Sequence, residues 1–301
     1  MQLTKIHIIL FLITVATTFL AGFLQGGNVA SGVSFSAALL FILGAHEMGH
    51  YVYGRKYGVD ITAPYFIPAP PILSPIGTFG AFIKIKSPIS SKRALFDIGI
   101  AGPLVGIIAA IPVIMIGVRL STVVETSSRD IQGGIALGTP LIFSFLSDVV
   151  VGKIPEGYDI LLHPVAFAGW IGLFVTALNL IPSGQLDGGH IMYSLLSRKW
   201  YRRTSLLMIF VLFTLGMGTR PIIDLLHFLW EGTAFGSYED TLIFEGWPGW
   251  FLWAVILSVM SPRHPPTMDD ELSLDAKRKL LGVIALLVFA GCFTPVPISI
   301  Y

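Results

Sequence analysis

Seven long, nearly uninterrupted apolar runs constrain this chain more than any other feature. They cover residues 6–24, 33–53, 96–118, 164–182, 204–219, 247–261 and 280–297. A hydrocarbon core of about 30 Å needs roughly 20 helical residues to cross it. The runs are continuous rather than alternating, so they predict helices and not a barrel. Only 12% of the 301 residues are charged, against about 25% in a soluble domain, so the chain cannot coat a water-facing globule. The expectation is an all-α polytopic membrane protein with about seven (six to eight) transmembrane helices. The first run has a signal peptide as its rival, but it lacks a small-x-small cleavage site and reads as a retained helix.

Charge orients the bundle. With the N-terminus in the cytoplasm, four segments fall inside. They hold Lys5; Arg55, Lys56, Lys84, Lys86, Lys92 and Arg93; Arg198, Lys199, Arg202 and Arg203; and Arg263, Lys277, Arg278 and Lys279. That is 15 of 19 basic residues, the asymmetry the positive-inside rule demands. The loop 221–246 carries Asp224, Glu231, Glu239, Asp240 and Glu245 without a Lys or Arg, which fits the outer face. A net charge of +1 excludes a nucleic-acid partner bound through a basic surface. The single cysteine, Cys292, excludes a disulfide framework and a thiolate cluster.

Two stretches depart from this pattern. Residues 131–152 are apolar but interrupted by glycines, Pro140 and Asp148, and read as an interfacial or re-entrant segment, with an eighth span as the rival. Residues 64–86 hold five prolines, which exclude a helix. Their second half alternates, and residues 77–85 suit a short membrane-associated strand or hairpin near the inner face. No internal repeat is visible. The whole chain, 1–301, reads as one integral-membrane domain, with a core at about 33–200 and accessory helices at about 204–297.

The second run contains His46-Glu47-Met48-Gly49-His50, an H-E-x-x-H motif. On a helix, positions i and i+4 share a face about 5–6 Å apart. Both imidazoles can therefore reach one Zn²⁺, with Glu47 placed as general base. The bland reading, packing alone, is expensive because ionisable groups inside a bilayer are costly and functional by default. A catalytic zinc needs a third protein ligand. Asp187, in Asn179-Leu-Ile-Pro-Ser-Gly-Gln-Leu-Asp-Gly-Gly-His190, is the best candidate. The orientation delivers both half-sites near the inner ends of the second and fourth spans, at similar depth.

These motifs resemble the site-2 protease family of intramembrane zinc metalloproteases. Stretches such as GTFGAFI, FDIGIAGPLVG and RHPP are most similar to its chloroplast-type and cyanobacterial branch. The resemblance covers about residues 33–200, and neither a PDZ insert nor CBS repeats fit within the chain. It implies one Zn²⁺ per chain held by His46, His50 and Asp187, with Glu47 as the catalytic base. The implied substrates are transmembrane proteins or peptides in a lipid bilayer. Asn179 and Gly80 are candidate substrate-binding residues, Asn179 having an interhelical hydrogen bond as its plain alternative. An unpaired edge at 77–85 could receive an unwound substrate by strand addition.

Other polar residues have simpler readings. His190 is a fourth-ligand candidate better explained by support of the ligands. His163 caps a helix that starts with Pro164. Asp97 reads as a helix-start carboxylate, and Gly102 with Gly106 as a small-residue packing face. His7, His227 and His264 read as interfacial. A metal- or proton-coupled transporter and a noncatalytic scaffold are the alternatives; common transporter folds show internal repeats. The lack of an Arg- and Ser-rich leader points to a prokaryotic cytoplasmic membrane.

Overall fold

The computed structural model describes residues 3–126, 135–218, 246–260, 264–270 and 273–300. In chain order the helices are α1 (Lys5–Gly26), α2 (Val29–Lys56), α3 (Lys92–Arg119), α4 (Leu141–Val151), α5 (Pro164–Asn179), α6 (Asp187–Leu195), α7 (Arg198–Met217), α8 (Pro248–Val259) and α9 (Ala276–Cys292). Each of the seven apolar runs contributes a helix. Three, α1 to α3, are long and apolar enough to cross a membrane, and α4, α5 and α8 are shorter apolar helices. The protein is thus mostly helical and membrane-associated, with three candidate spans among the described residues. At 11 residues, or about 16 Å, α4 is shorter than a hydrocarbon core. The acidic loop expected at 221–246 lies outside the described residues except for Gly246, as do His227 and the start of the 131–152 stretch.

Local chemistry sets the helix ends. Gly27 takes a left-handed conformation (φ 69°), and the Asn28 side chain accepts a hydrogen bond from the Ser31 N–H to start α2. A two-residue link therefore makes α1 and α2 antiparallel neighbours. Ser91 caps α3 in the same way, accepting from the Ala94 N–H. His163 accepts from the Val165 N–H ahead of Pro164, which gives α5 the cap its sequence indicates.

The core lies where α2, α3 and α5 meet. Phe35, Leu39, Ile42, Ala110, Ile114, Ala166, Trp170 and Leu173 are all buried there. Small residues bring the backbones together: a Cβ on Gly117 would fall 2.1 Å from the Ala166 nitrogen, and one on Gly169 2.5 Å from Ile114. Close approach through small residues is how membrane helices gain packing without a hydrophobic drive between them. By contrast, α1 leaves Ile6, Ile9, Leu12, Ile13, Leu20 and Leu24 exposed, a face suited to lipid.

The proline-rich stretch forms a hairpin. Strand β1 (Tyr65–Pro68) pairs antiparallel with β2 (Thr78–Phe82), in the register Tyr65↔Phe82 and Phe66↔Ala81. Among the described residues β2 pairs only with β1, which leaves it one open edge. The hairpin packs on α1, with His7 stacked on Tyr65 at 4.0 Å. His7 also accepts a hydrogen bond at Nδ1 from the Thr4 N–H, so it secures the start of α1 rather than sitting idle at an interface. The other strands, β3 (Thr122–Glu125), β4 (Ile135–Leu137), β5 (Tyr158–Leu161) and β6 (Ile298–Ile300), form two small pairs, β3 with β5 and β4 with β6.

Candidate metal centre

The first half-site is a property of α2 itself. His46 and His50 are buried on one face, and their Nε2 atoms lie 3.1 Å apart. The Nδ1 of His50 lies 2.8 Å from the Ile98 carbonyl. A carbonyl only accepts, so this Nδ1 carries the hydrogen and the lone pair is left on Nε2. Such outer hydrogen bonds fix the tautomer and orientation of metal-binding imidazoles.

Helix α3 supplies the room. A Cβ on Gly102 would fall 2.0 Å from His50 Nε2, and one on Gly106 3.1 Å from His46 Nδ1. The small-residue face is indeed packing, but what it packs is the two imidazoles. Gly49 completes the approach, since its Cβ would meet the Ala101 carbonyl at 2.5 Å.

The second half-site depends on a break in the chain. Helix α5 ends at Asn179, Gly184 turns with φ 62°, and α6 begins at Asp187. A Cβ on Gly188 would lie 2.1 Å from the Leu180 carbonyl oxygen, and one on Gly189 2.5 Å from that of Gly184. Glycine is required for the chain to fold back this tightly. The fold-back places Asp187 Oδ2 3.3 Å from His46 Nε2 and 3.3 Å from His50 Nε2.

Three donor atoms separated by 3.1, 3.3 and 3.3 Å form a nearly equilateral face. Ligands at about 2.0–2.1 Å in a tetrahedron are about 3.3 Å apart along each edge. The donor set therefore fits one face of a tetrahedral Zn²⁺ site, leaving the fourth corner for water or substrate. Among the described residues, these three form the group of close ligand atoms able to hold one metal ion.

The other expected site residues fall around this face. Glu47 is buried on α2, with the Ile83 backbone N–H at its carboxylate, so the end of the hairpin reaches the candidate base. The Asn179 Nδ2 lies 3.3 Å from His46 Nε2. Gly80, with φ 100°, sits within β2 and its N–H donates to Thr78 Oγ1; it makes no contact with the triad among those described.

Two assignments change. Asp97 is more than a helix-start carboxylate: it accepts from the Arg278 guanidinium of α9 (Nη2–Oδ2 2.6 Å) and from the Tyr57 hydroxyl, joining α3 to the end of α2. His264 is no isolated interfacial residue: its Nε2 lies 2.6 Å from His190 Nδ1. His190 itself stands outside the ligand triad. Burial lowers both imidazoles from their ordinary range, His190 to about 4. Sequence reading missed the Ile98 carbonyl, the Ile83 amide and His264. The signal available for His264 was the RHPP wording, which carries no spacing to the triad.

The fold and this cluster define a helical membrane protein with an interior His-His-carboxylate centre able to hold one metal ion. The chain belongs to Peptidase family M50, whose model matches residues 34–218. It is 33% identical over 172 residues to the probable zinc metalloprotease EGY1, chloroplastic, of Oryza sativa subsp. japonica, covering 54% of this chain and 28% of that protein. To the probable zinc metalloprotease EGY2, chloroplastic, of Arabidopsis thaliana it is 31% identical, covering 56% of this chain and 29% of the relative. A similar protein of the same name from Oryza sativa subsp. indica is 30% identical over 272 residues, 88% of this chain and 44% of that one. The chain spans less than half the length of these curated relatives. Their names place them in the chloroplast and lend no support to the expected prokaryotic cytoplasmic membrane.

Proposed function

We propose that this chain is an intramembrane zinc metalloendopeptidase that hydrolyses peptide bonds in or beside transmembrane segments. One observation carries the reading: the near-equilateral face of His46 Nε2, His50 Nε2 and Asp187 Oδ2, with Glu47 adjacent in sequence and buried beside it. A Zn²⁺ held there supplies Lewis acidity, polarising a carbonyl and acidifying a water.

The protein's own groups do the rest. Glu47 takes the proton of the attacking water and returns it to the leaving amine. The Ile83 N–H lies beside the Glu47 carboxylate. Ile98, through His50, keeps an imidazole lone pair directed at the metal position. Asn179 stands where its amide can donate to a substrate or to the oxyanion. A helical substrate must unwind to expose its peptide bond, and the open edge of β2 offers backbone groups to the extended strand.

The topology that goes with this reading has seven crossings formed by α1, α2, α3, α5, α7, α8 and α9. The N-terminus lies in the cytoplasm and the site toward the cytoplasmic side, as the basic residues favour. The chain then acts as one membrane-embedded peptidase domain, with transmembrane proteins or peptides as substrates.

The test is cleavage of a transmembrane peptide by the reconstituted chain and by Glu47→Gln, with zinc measured in both. The expected result is a loss of turnover of about 10²–10⁴-fold with zinc retained, the range for a positioned acid–base group. Equal turnover overturns the reading.

A further inference from the structure

A strap formed by residues 264–270 grips α6, the short helix that carries Asp187. Two contacts make the grip. At one, His264 Nδ1 lies 2.6 Å from the Pro265 carbonyl, so that nitrogen carries the hydrogen and Nε2 is an acceptor. The hydrogen in the 2.6 Å contact then belongs to His190 Nδ1, which donates to His264 Nε2. At the other, Asp270 is a hub. It accepts from the Tyr193 hydroxyl (2.6 Å), from Arg198 Nη2 (2.6 Å) and from Thr267 Oγ1 (2.6 Å).

The strap is tied down on its other side as well. The backbone N–H groups of Met268 and Asp269 donate to the carbonyls of Ile89 and Ser90, just ahead of α3. The His264 ring also stacks on Tyr193 at 4.3 Å. On α6, His190 is the i+3 neighbour of Asp187, and Tyr193 is the i+3 neighbour of His190. The strap therefore holds α6 through His190, the neighbour of the third metal ligand, and through Tyr193 one step further along.

We propose that His264 is a positioning residue for Asp187, acting through His190, with Asp270 as the second anchor. The proposal rests on the reading of His46, His50 and Asp187 as a metal centre. The physical need is plain. Helix α6 has nine residues, too few to hold its own orientation in isolation, and Asp187 sits at its very first turn. A rotation of α6 moves the carboxylate off the face it makes with the two imidazoles. Anchoring it one turn further along restrains that rotation.

The test measures Zn²⁺ affinity of the full chain in detergent by competition with a chromophoric chelator, so it does not require turnover. His264→Phe keeps an aromatic ring against Tyr193 but leaves the His190 N–H without an acceptor. His264→Gln restores an acceptor without the ring. Zn²⁺ binding is expected to weaken about 10–100-fold in His264→Phe, the range for partners that orient ligands, and to stay within about threefold of wild type in His264→Gln. Asp270→Asn loosens the other anchor with both histidines intact and is expected to cost about tenfold. Unchanged affinity in His264→Phe and Asp270→Asn overturns the proposal. So does an equal loss in the Phe and Gln variants, because restoring the acceptor then restores no binding. If His264→Phe does not fold, the Gln and Asn variants decide it: unchanged affinity in Asp270→Asn, or a tenfold loss in His264→Gln, overturns it. A wild-type chain that binds no Zn²⁺ overturns the metal-centre reading itself, a distinct result.

Discussion

The two halves of the candidate metal centre are built in opposite ways. On α2, a 28-residue helix, two ligands arise from the i, i+4 spacing alone, and the neighbouring helix contributes by withholding side chains at Gly102 and Gly106. On α6, one ligand arrives through a broken helix, a glycine turn, two backbone-tight glycines and a strap from a distant part of the chain. The first half is self-supporting and the second is assembled. Loss of a ligand on either half should therefore cost metal but little fold, whereas damage to the glycine fold-back that delivers Asp187 should cost both.

The sharpest break of this contrast removes a ligand from each side. His50→Ala and Asp187→Ala should each weaken Zn²⁺ binding by more than about 100-fold, beyond what outer partners contribute. Equilibrium binding checks this, and a melting curve of the metal-free protein should move little in either case. Next in size is Gly102→Ala, whose Cβ would sit 2.0 Å from His50 Nε2. It should displace that imidazole and cost about 10–100-fold in affinity. Gly106→Ala, with 3.1 Å to His46 Nδ1, should fall well short of that. If the two alanines behave alike, α3 is not shaping the site as described.

On the assembled side, Gly188→Ala puts a methyl group 2.1 Å from the Leu180 carbonyl oxygen. Neither backbone can yield easily, so destabilisation of about 1–3 kcal/mol is expected together with loss of zinc. Denaturation and metal content measured on the same sample separate this from the α2 variants, which should lose zinc alone.

The smallest effect concerns pH. Burial holds His190 to about 4 in the folded chain, against about 6.5 when unfolded. Between those values the unfolded state binds more protons, so this contribution to stability is complete above about pH 6.5 and falls as pH drops toward 4. The melting temperature of the metal-free protein should fall over that window. The fall should be shallower in His190→Gln, and an identical slope would contradict the neutral His190–His264 pair.

The same contrast explains what the sequence revealed. The α2 half was legible because a helix is periodic: HEMGH specifies which side chains meet without knowledge of any other element. The hairpin was legible too, since five prolines forbid a helix and alternation follows them. Asp187 was legible by its chemistry and by the similar depth that the charge-based orientation gives the two half-sites. What holds Asp187 was not, because His264 lies 74 residues from His190 and nothing local in Arg-His-Pro-Pro specifies its partner. The Ile98 and Ile83 backbone groups were hidden for a simpler reason: main-chain donors and acceptors are identical at every position, and only the fold selects which of them matter. The interhelical role of Asp97 escaped in the same way, because its partner Arg278 belongs to α9, far along the chain.

The most direct test of the account is X-ray absorption at the zinc edge on the Glu47→Gln chain loaded with one equivalent of Zn²⁺, alongside Asp187→Ala. The account predicts one tightly held zinc per chain, with two imidazole nitrogens at about 2.0–2.1 Å and a carboxylate oxygen at about 2.0–2.2 Å. The oxygen contribution from Asp187 and the tight binding should both be lost in the variant. A zinc shell without two imidazoles, or one unchanged by Asp187→Ala, would contradict the site proposed here.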